Sequence, residues 1–162
     1  MKKTGMEEVA LLMKKSSDKA NQLFYQYLAV ALGGIIGALL RETIELMLSP
    51  NLTDHIPIAT MLINWSGSLV LAWFYTKTIW HWRVPQWFRV GVGTGIIGAF
   101  TTFSTFSVEA DTLISQNIAL GFMYIVSSVV GGLGFSWIGL RLAGEKAEKK
   151  DNVMLNTQAS ER

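Results

Sequence analysis

Cysteine is absent from the 162 residues. That excludes disulfides, thiolate metal sites and cysteine nucleophiles, and it says nothing about compartment. Histidine is almost absent: His55 and His81 fall at the ends of apolar segments, too far apart to share a site. No nucleophile–base set accompanies them, so an enzyme is not expected. The formal net charge of +2 is too small to point to nucleic acid. The first 22 residues are polar, and no small-residue cleavage site ends the apolar run that follows, so no secretory signal is expected. No long internal repeat is visible.

What the chain has is hydrophobicity. Half of it is apolar and its mean hydropathy is +0.32, beyond an average soluble domain. Four apolar runs, 23–48, 56–75, 88–107 and 118–140, are each long enough to cross a bilayer core. Backbone groups in hydrocarbon must pair within their own segment, which makes these runs helices. The expected organisation is an N-terminal tail (1–22), a four-helix membrane domain (23–142) and a lysine-rich disordered tail (143–162). In the first tail Met6, Val9, Ala10 and Met13 sit at helical spacing beside Lys14 and Lys15. That pattern fits a short surface helix and a partly disordered tail equally.

The basic residues are unevenly placed. Both tails and the loop between spans two and three, with Lys77, Arg83 and Arg89, lie on one side of a four-span topology. Of 14 Lys and Arg, only Arg41 falls on the other side. The positive-inside rule then puts both termini in the cytoplasm. Trp80, Trp82 and Trp87 mark the same interface.

Glycine clusters inside the spans. Gly33-x-x-x-Gly37 and Gly91-x-x-x-Gly95 are pairs that let helix backbones approach closely, and Gly131, Gly132 and Gly134 add a third group. Four helices make a thin bundle with little interior, so a dimer is expected.

Polar side chains at membrane depth face protein or a water path. Thr60 and Asn64 share a face of span two, and Tyr124, Ser128 and Gly132 share a face of span four. Asn64 fits an interhelical structural hydrogen bond or a pore donor; Ser128 fits back-bonding to its own helix or the same pore. The run GIIGAFTTFSTFS (95–107) weaves five hydroxyls between three phenylalanines just after Gly95 and Gly98. It makes a poor continuous helix, and a break near 98–102 is expected, where backbone lines a cavity. Carbonyls ending the first half-helix suit a cation, and N–H groups opening the second suit an anion. Phe103 and Phe106 lie three apart, and phenyl edges are electropositive.

GGIIGALLR (33–41), NWSGSL (64–69), GIIGAFTTFSTFS (95–107) and YIVSS (124–128) together resemble the Fluc (CrcB-type) fluoride channel family across nearly all four spans. The resemblance implies an all-α membrane protein with its third helix broken mid-membrane, assembled as an antiparallel dimer in a bacterial cell membrane. Two fluoride pathways would be built from both chains. Asn64 would hydrogen-bond fluoride, Phe103 and Phe106 would meet it with their ring edges, and Thr60, Tyr124 and Ser128 would line a polar track. Backbone carbonyls of Gly98 and Thr101 from both subunits would hold a structural Na+ ion. Arg41 would lie at a vestibule. The role implied is passive fluoride exit that protects cytoplasmic enzymes. An uncharged pore suits that role, since conduction needs weak, repeated sites.

Three features depart from the family pattern. Gly132 stands where another hydroxyl is common. Glu42 follows Arg41, and Glu45 is spaced to pair with it. The strong charge bias fits one fixed orientation, and so a heterodimer with an oppositely oriented homologue as readily as a homodimer. The rivals are a four-helix proton-coupled multidrug exporter, which needs a carboxylate within span one that 23–40 lacks, and a non-transporting membrane scaffold.

Overall fold

The computed structural model describes the backbone of residues 5–48 and 57–160 and the side chains of 7–48 and 57–144. Met6, His55 and the tail residues Lys2, Lys3, Lys146, Lys149, Lys150 and Arg162 lie outside the described side chains. Helix α1 (Gly5–Leu48) carries span one, and α2 (Ile58–Trp80) carries span two. Span three is composite: α3 (Gln86–Val90), a π-helical stretch (Gly91–Ile97), α4 (Gly98–Phe100), then α5 (Ser104–Gln116). Helix α6 (Ile118–Ser160) carries span four. Four segments, Glu7–Leu48, Ile58–Trp80, Gln86–Gln116 and Ile118–Gly144, are long and apolar enough to cross a membrane. This is a multi-pass membrane protein.

At both ends the helix runs beyond the apolar span. Residues 5–22 continue span one as a single helix of 44 residues. At 1.5 Å per residue it is about 66 Å long, roughly twice a hydrocarbon core. At the other end α6 runs on to Ser160, where an unstructured tail was expected from 143. The run 145–155 is rich in Glu and Lys and holds neither Gly nor Pro, so nothing in it stops a helix. Span three also extends past the expected 107, to Gln116; that extension brings Glu109 into it.

The glycines set the packing. A side chain at Gly33 would strike the Gly91 carbonyl, and one at Gly37 the Ile96 carbonyl. From the facing side, a Cβ at Gly95 would sit 2.9 Å from the Val30 carbonyl oxygen. The two expected small-residue pairs thus face each other within one chain, and α1 lies backbone to backbone on the π-helical stretch. Gly131 makes room for the Trp65 indole, whose Nε1 donates to the Ser128 carbonyl at 3.1 Å, and Gly139 lets α6 meet the Leu69 carbonyl of α2.

Basic side chains tie neighbouring helices together on the tail side. Lys77 Nζ donates to the Ala143 carbonyl at 3.1 Å, and Arg89 Nη2 donates to the Thr78 carbonyl at 3.1 Å. Carbonyls near the end of α2 have no partner further along the helix, and a cation there also meets the negative end of the helix dipole. Within the chain the core is small. Met61, Ala110, Leu113 and Tyr124 are buried together, with Trp65, Phe106 and Ile125 packed against them. At most 28% of any span is buried within the chain.

Candidate functional site

The break in span three falls at 101–103, where helix gives way between α4 and α5. Thr101 is extended (φ −77°, ψ 152°) and ends the first half-helix. The hydroxyls of the TTFSTFS run largely serve the backbone around this break. Thr101 Oγ1 donates to the Ile97 carbonyl at 3.2 Å, and Ser107 Oγ donates to that of Phe103 at 2.8 Å. Thr102 Oγ1 accepts from the Thr105 backbone N–H at 3.2 Å and donates to Thr105 Oγ1 at 2.9 Å. It therefore caps α5 in the way a threonine at a helix start does.

Asn64 holds the break from span two. Its Nδ2 donates to the Thr102 carbonyl and its Oδ1 accepts from the Thr102 N–H, both at 2.9 Å. An amide NH2 carries two donors, so one N–H of Asn64 remains after this clamp is made. Both expectations for Asn64, structural bond and pore donor, are compatible with one side chain.

Asn64 also lines a cavity of about 370 Å³, with Ser68, Thr101, Thr102, Phe103, Phe106, Ser128 and Gly132 among the other lining residues. None of its lining residues is charged. Phe103 and Phe106 have ring centroids 6.0 Å apart at 41°. Phe103 is 80% exposed on the single chain. Ser128 Oγ is buried close to the Tyr124 hydroxyl yet forms no hydrogen bond of good geometry. A buried hydroxyl left in that state is available to a ligand or to water. Asn64, Phe103, Phe106 and Ser128 thus line one cavity.

Thr60 and Tyr124 stand apart from that cavity, behind Phe106, whose ring centroid is 5.3 Å from that of Tyr124. They are joined by a residue that the sequence reading passed over. Glu109 accepts from Thr60 Oγ1 at 2.8 Å through Oε1 and from Tyr124 OH at 2.7 Å through Oε2. Thr60 and Tyr124 are only 2% and 3% exposed. The signal was present: Glu109 lies three residues beyond Phe106 on one helix face. Hydropathy alone ends span three at 107, two residues short of it.

Arg41 does not join the cavity. It pairs with Glu45 one turn along α1, Nε to Oε1 at 3.9 Å. Gly132 does line the cavity, with Ser68 Oγ across from it. As for a metal, no group of three or more His, Cys, Asp or Glu capable of holding one occurs among the described residues. The end of the first half-helix instead offers backbone oxygen: the Gly98 carbonyl accepts only a long 3.3 Å bond from Thr101 Oγ1. An all-oxygen, uncharged donor set at a helix C-terminus fits a hard monovalent cation.

The sequence profile of the CrcB-like protein, Camphor Resistance (CrcB) family matches residues 28–140. The chain belongs to the CrcB family. Its CrcB relatives include a protein of Geobacillus kaustophilus named fluoride-specific ion channel FluC 2, 38% identical over 128 residues. The match covers 78% of this chain and 98% of that protein. The FluC 2 protein of Staphylococcus haemolyticus is 37% identical, over 74% of this chain and 98% of its own length. A FluC 1 protein of Bacillus thuringiensis is 41% identical, over 72% of this chain and 85% of its own length. The CrcB match begins at 28 and ends at 140, so the projecting helix ends of this chain lie outside it.

Proposed function

We propose that this CrcB protein is a fluoride-selective channel that lets fluoride leave the cytoplasm passively and so limits its toxicity. The observation that carries the reading is the uncharged cavity lined together by Asn64, Ser128, Phe103 and Phe106. Fluoride is small and tightly hydrated. A pore for it must replace that water with donors, and a fixed cation beside the path would hold the ion too strongly for conduction. Asn64 and Ser128 supply hydrogen bonds, and the phenyl edges supply a weaker positive rim. Glu109 keeps the Thr60 and Tyr124 hydroxyls engaged beside that path. The relatives' names, which specify fluoride, support the same ion.

The working unit is an antiparallel dimer. Phe103, exposed on one chain, would be covered by the second subunit, which would complete each pathway. Carbonyls of Gly98 and Thr101 from both subunits would hold a structural Na+ at the centre of the dimer. The partner is either a second copy or an oppositely oriented homologue. The bias of basic residues favours insertion with both termini cytoplasmic, and relatives numbered FluC 1 and FluC 2 are in keeping with paired homologues.

The test is fluoride efflux from liposomes holding this chain, alone and with candidate companions, against chloride. Fluoride efflux that outpaces chloride is expected; retention with every companion supplied defeats the reading. Labelling the termini from each side of the membrane decides the partner: labels on one side require a homologue, labels on both permit a homodimer.

One observation favours a second reading. Glu109 is a carboxylate that would carry a coupling proton, but it stands in span three and not in span one, where that exporter class carries its own. Proton-driven drug uptake into the same liposomes, abolished by Glu109→Gln, would establish it.

A further inference from the structure

The Arg41–Glu45 pair is built in an unusual way. Both residues are on the last turns of α1, on the face away from the tails, and their side chains are 29% and 27% exposed. Arg41 Nε and Glu45 Oε1 are themselves buried, 3.9 Å apart, and neither has a hydrogen-bond partner. The two groups therefore attract without the close contact of a hydrogen-bonded bridge. Glu45 is also within electrostatic reach of Glu109, which holds the Thr60 and Tyr124 hydroxyls. Glu42 beside it is exposed and unconstrained by that geometry. The one basic residue on this side of the chain is thus opposed by a carboxylate one helical turn away.

We propose that Glu45 is a positioning residue that holds Arg41 and cancels its field, setting how strongly an anion is drawn to the mouth where α1 ends. The proposal rests on the channel reading above. A free guanidinium concentrates anions at a mouth, and a paired one does so far less. Paired, Arg41 keeps the weak capture that suits fast passage; unpaired, it gathers fluoride and chloride alike. Glu45 therefore acts on rate and its salt dependence, not on the choice between halides, which belongs to the Asn64 cavity.

The experiment measures initial fluoride efflux from liposomes holding the channel in the composition that conducts, at about 10 mM and about 1 M inert salt, where the screening length falls from about 30 Å to about 3 Å. Wild type, Glu45→Gln, Glu45→Asp, Arg41→Gln and the Arg41→Gln/Glu45→Gln double variant are compared. One unopposed charge about 10 Å from an anion in water changes its local concentration roughly two-fold. Glu45→Gln is expected to raise low-salt flux by about that factor, to lose the gain at high salt, and to give no gain in the Arg41→Gln background. Glu45→Asp, which keeps the charge, should follow wild type. No low-salt gain, a gain indifferent to salt, or the same gain without Arg41 overturns the proposal. Glu45→Ala carries the same comparison should the glutamine variant assemble poorly. Wild-type flux reports on the channel reading and the variant ratio on Glu45, so the two fail separately.

Discussion

Asn64 and Thr102 are joined by two hydrogen bonds of 2.9 Å, one in each direction, across 38 residues of sequence. The side-chain amide takes the place of the backbone partners that Thr102 loses where span three stops being helical. One residue thus fixes the break and faces the cavity. Asn64→Ser removes both effects, because a serine hydroxyl is too short to reach both groups. The two lost bonds, with a peptide left unpaired, should destabilise the fold by about 2–3 kcal/mol. Fluoride efflux should fall by roughly ten-fold or more, equivalent to about 1.4 kcal/mol in the barrier. Thermal denaturation in detergent and liposome efflux check the two parts separately, and unchanged values in both would remove Asn64 from the site.

Phe106 offers a cleaner separation of packing from chemistry. It sits between Phe103 and Tyr124, with centroid distances of 6.0 and 5.3 Å. Phe106→Ile keeps an apolar side chain against the Met61–Leu113 core but abolishes the positive ring edge. Stability should change by less than about 1.5 kcal/mol, while fluoride flux drops roughly ten-fold. Equal losses in stability and flux would mean that the ring only packs.

The outline of the site was readable in the sequence for a simple reason. Helical spacing places Thr60 with Asn64 and Tyr124 with Ser128 whatever the tertiary structure, and a dense run of hydroxyls and rings after two glycines forecasts a helix break. The glycine pairs on α1 and span three were equally legible as close-approach faces, although not that they would face each other. What escaped depends on how far a helix runs. Hydropathy ends span three at 107 because Glu109 and Asp111 follow. The helix continues because Thr60 and Tyr124 give the Glu109 carboxylate two partners. Such compensation is a tertiary fact. The same limit applies to α6, whose helix propensity beyond 143 is not visible to a reading based on hydropathy.

Glu109 should be hard to replace. Its two oxygens each accept from a buried hydroxyl. Glu109→Gln offers one acceptor and one NH2, so Thr60 or Tyr124 must turn its hydroxyl round, at about 1 kcal/mol. Glu109→Ala leaves both hydroxyls unpaired and should cost about 2–4 kcal/mol. A thermal series in the order wild type, Gln, Ala is expected, and an alanine variant as stable as the glutamine one would show that water already serves these groups.

The glycines on α1 should separate by face. A Cβ at Gly37 would run into the Ile96 carbonyl, whereas Gly34 has nothing within 4 Å inside the chain. Gly37→Ala must push two backbones apart, and a destabilisation of about 2 kcal/mol or more is expected. Gly34→Ala should leave the fold of the single chain intact. Thermal midpoints of the two variants check this; if Gly34→Ala instead alters only the dimer fraction, that face of α1 meets the second subunit.

Gly132 allows the polar track to be extended rather than broken. A Cβ at this position would meet nothing nearer than Ser68 Oγ at 3.8 Å, an ordinary contact distance. The new hydroxyl of Gly132→Ser would lie one helical turn beyond Ser128, on the face that lines the cavity. Replacing glycine with serine within a helix also favours folding by a few tenths of a kcal/mol. The variant should therefore be as stable as wild type or more so, and its fluoride flux should be preserved or rise a few-fold as one more donor replaces lost hydration. Efflux measured against chloride decides the matter. A variant that folds well and conducts less would mean that the space opposite Ser68 must stay free for the ion or its water, and that the track is short here for a reason.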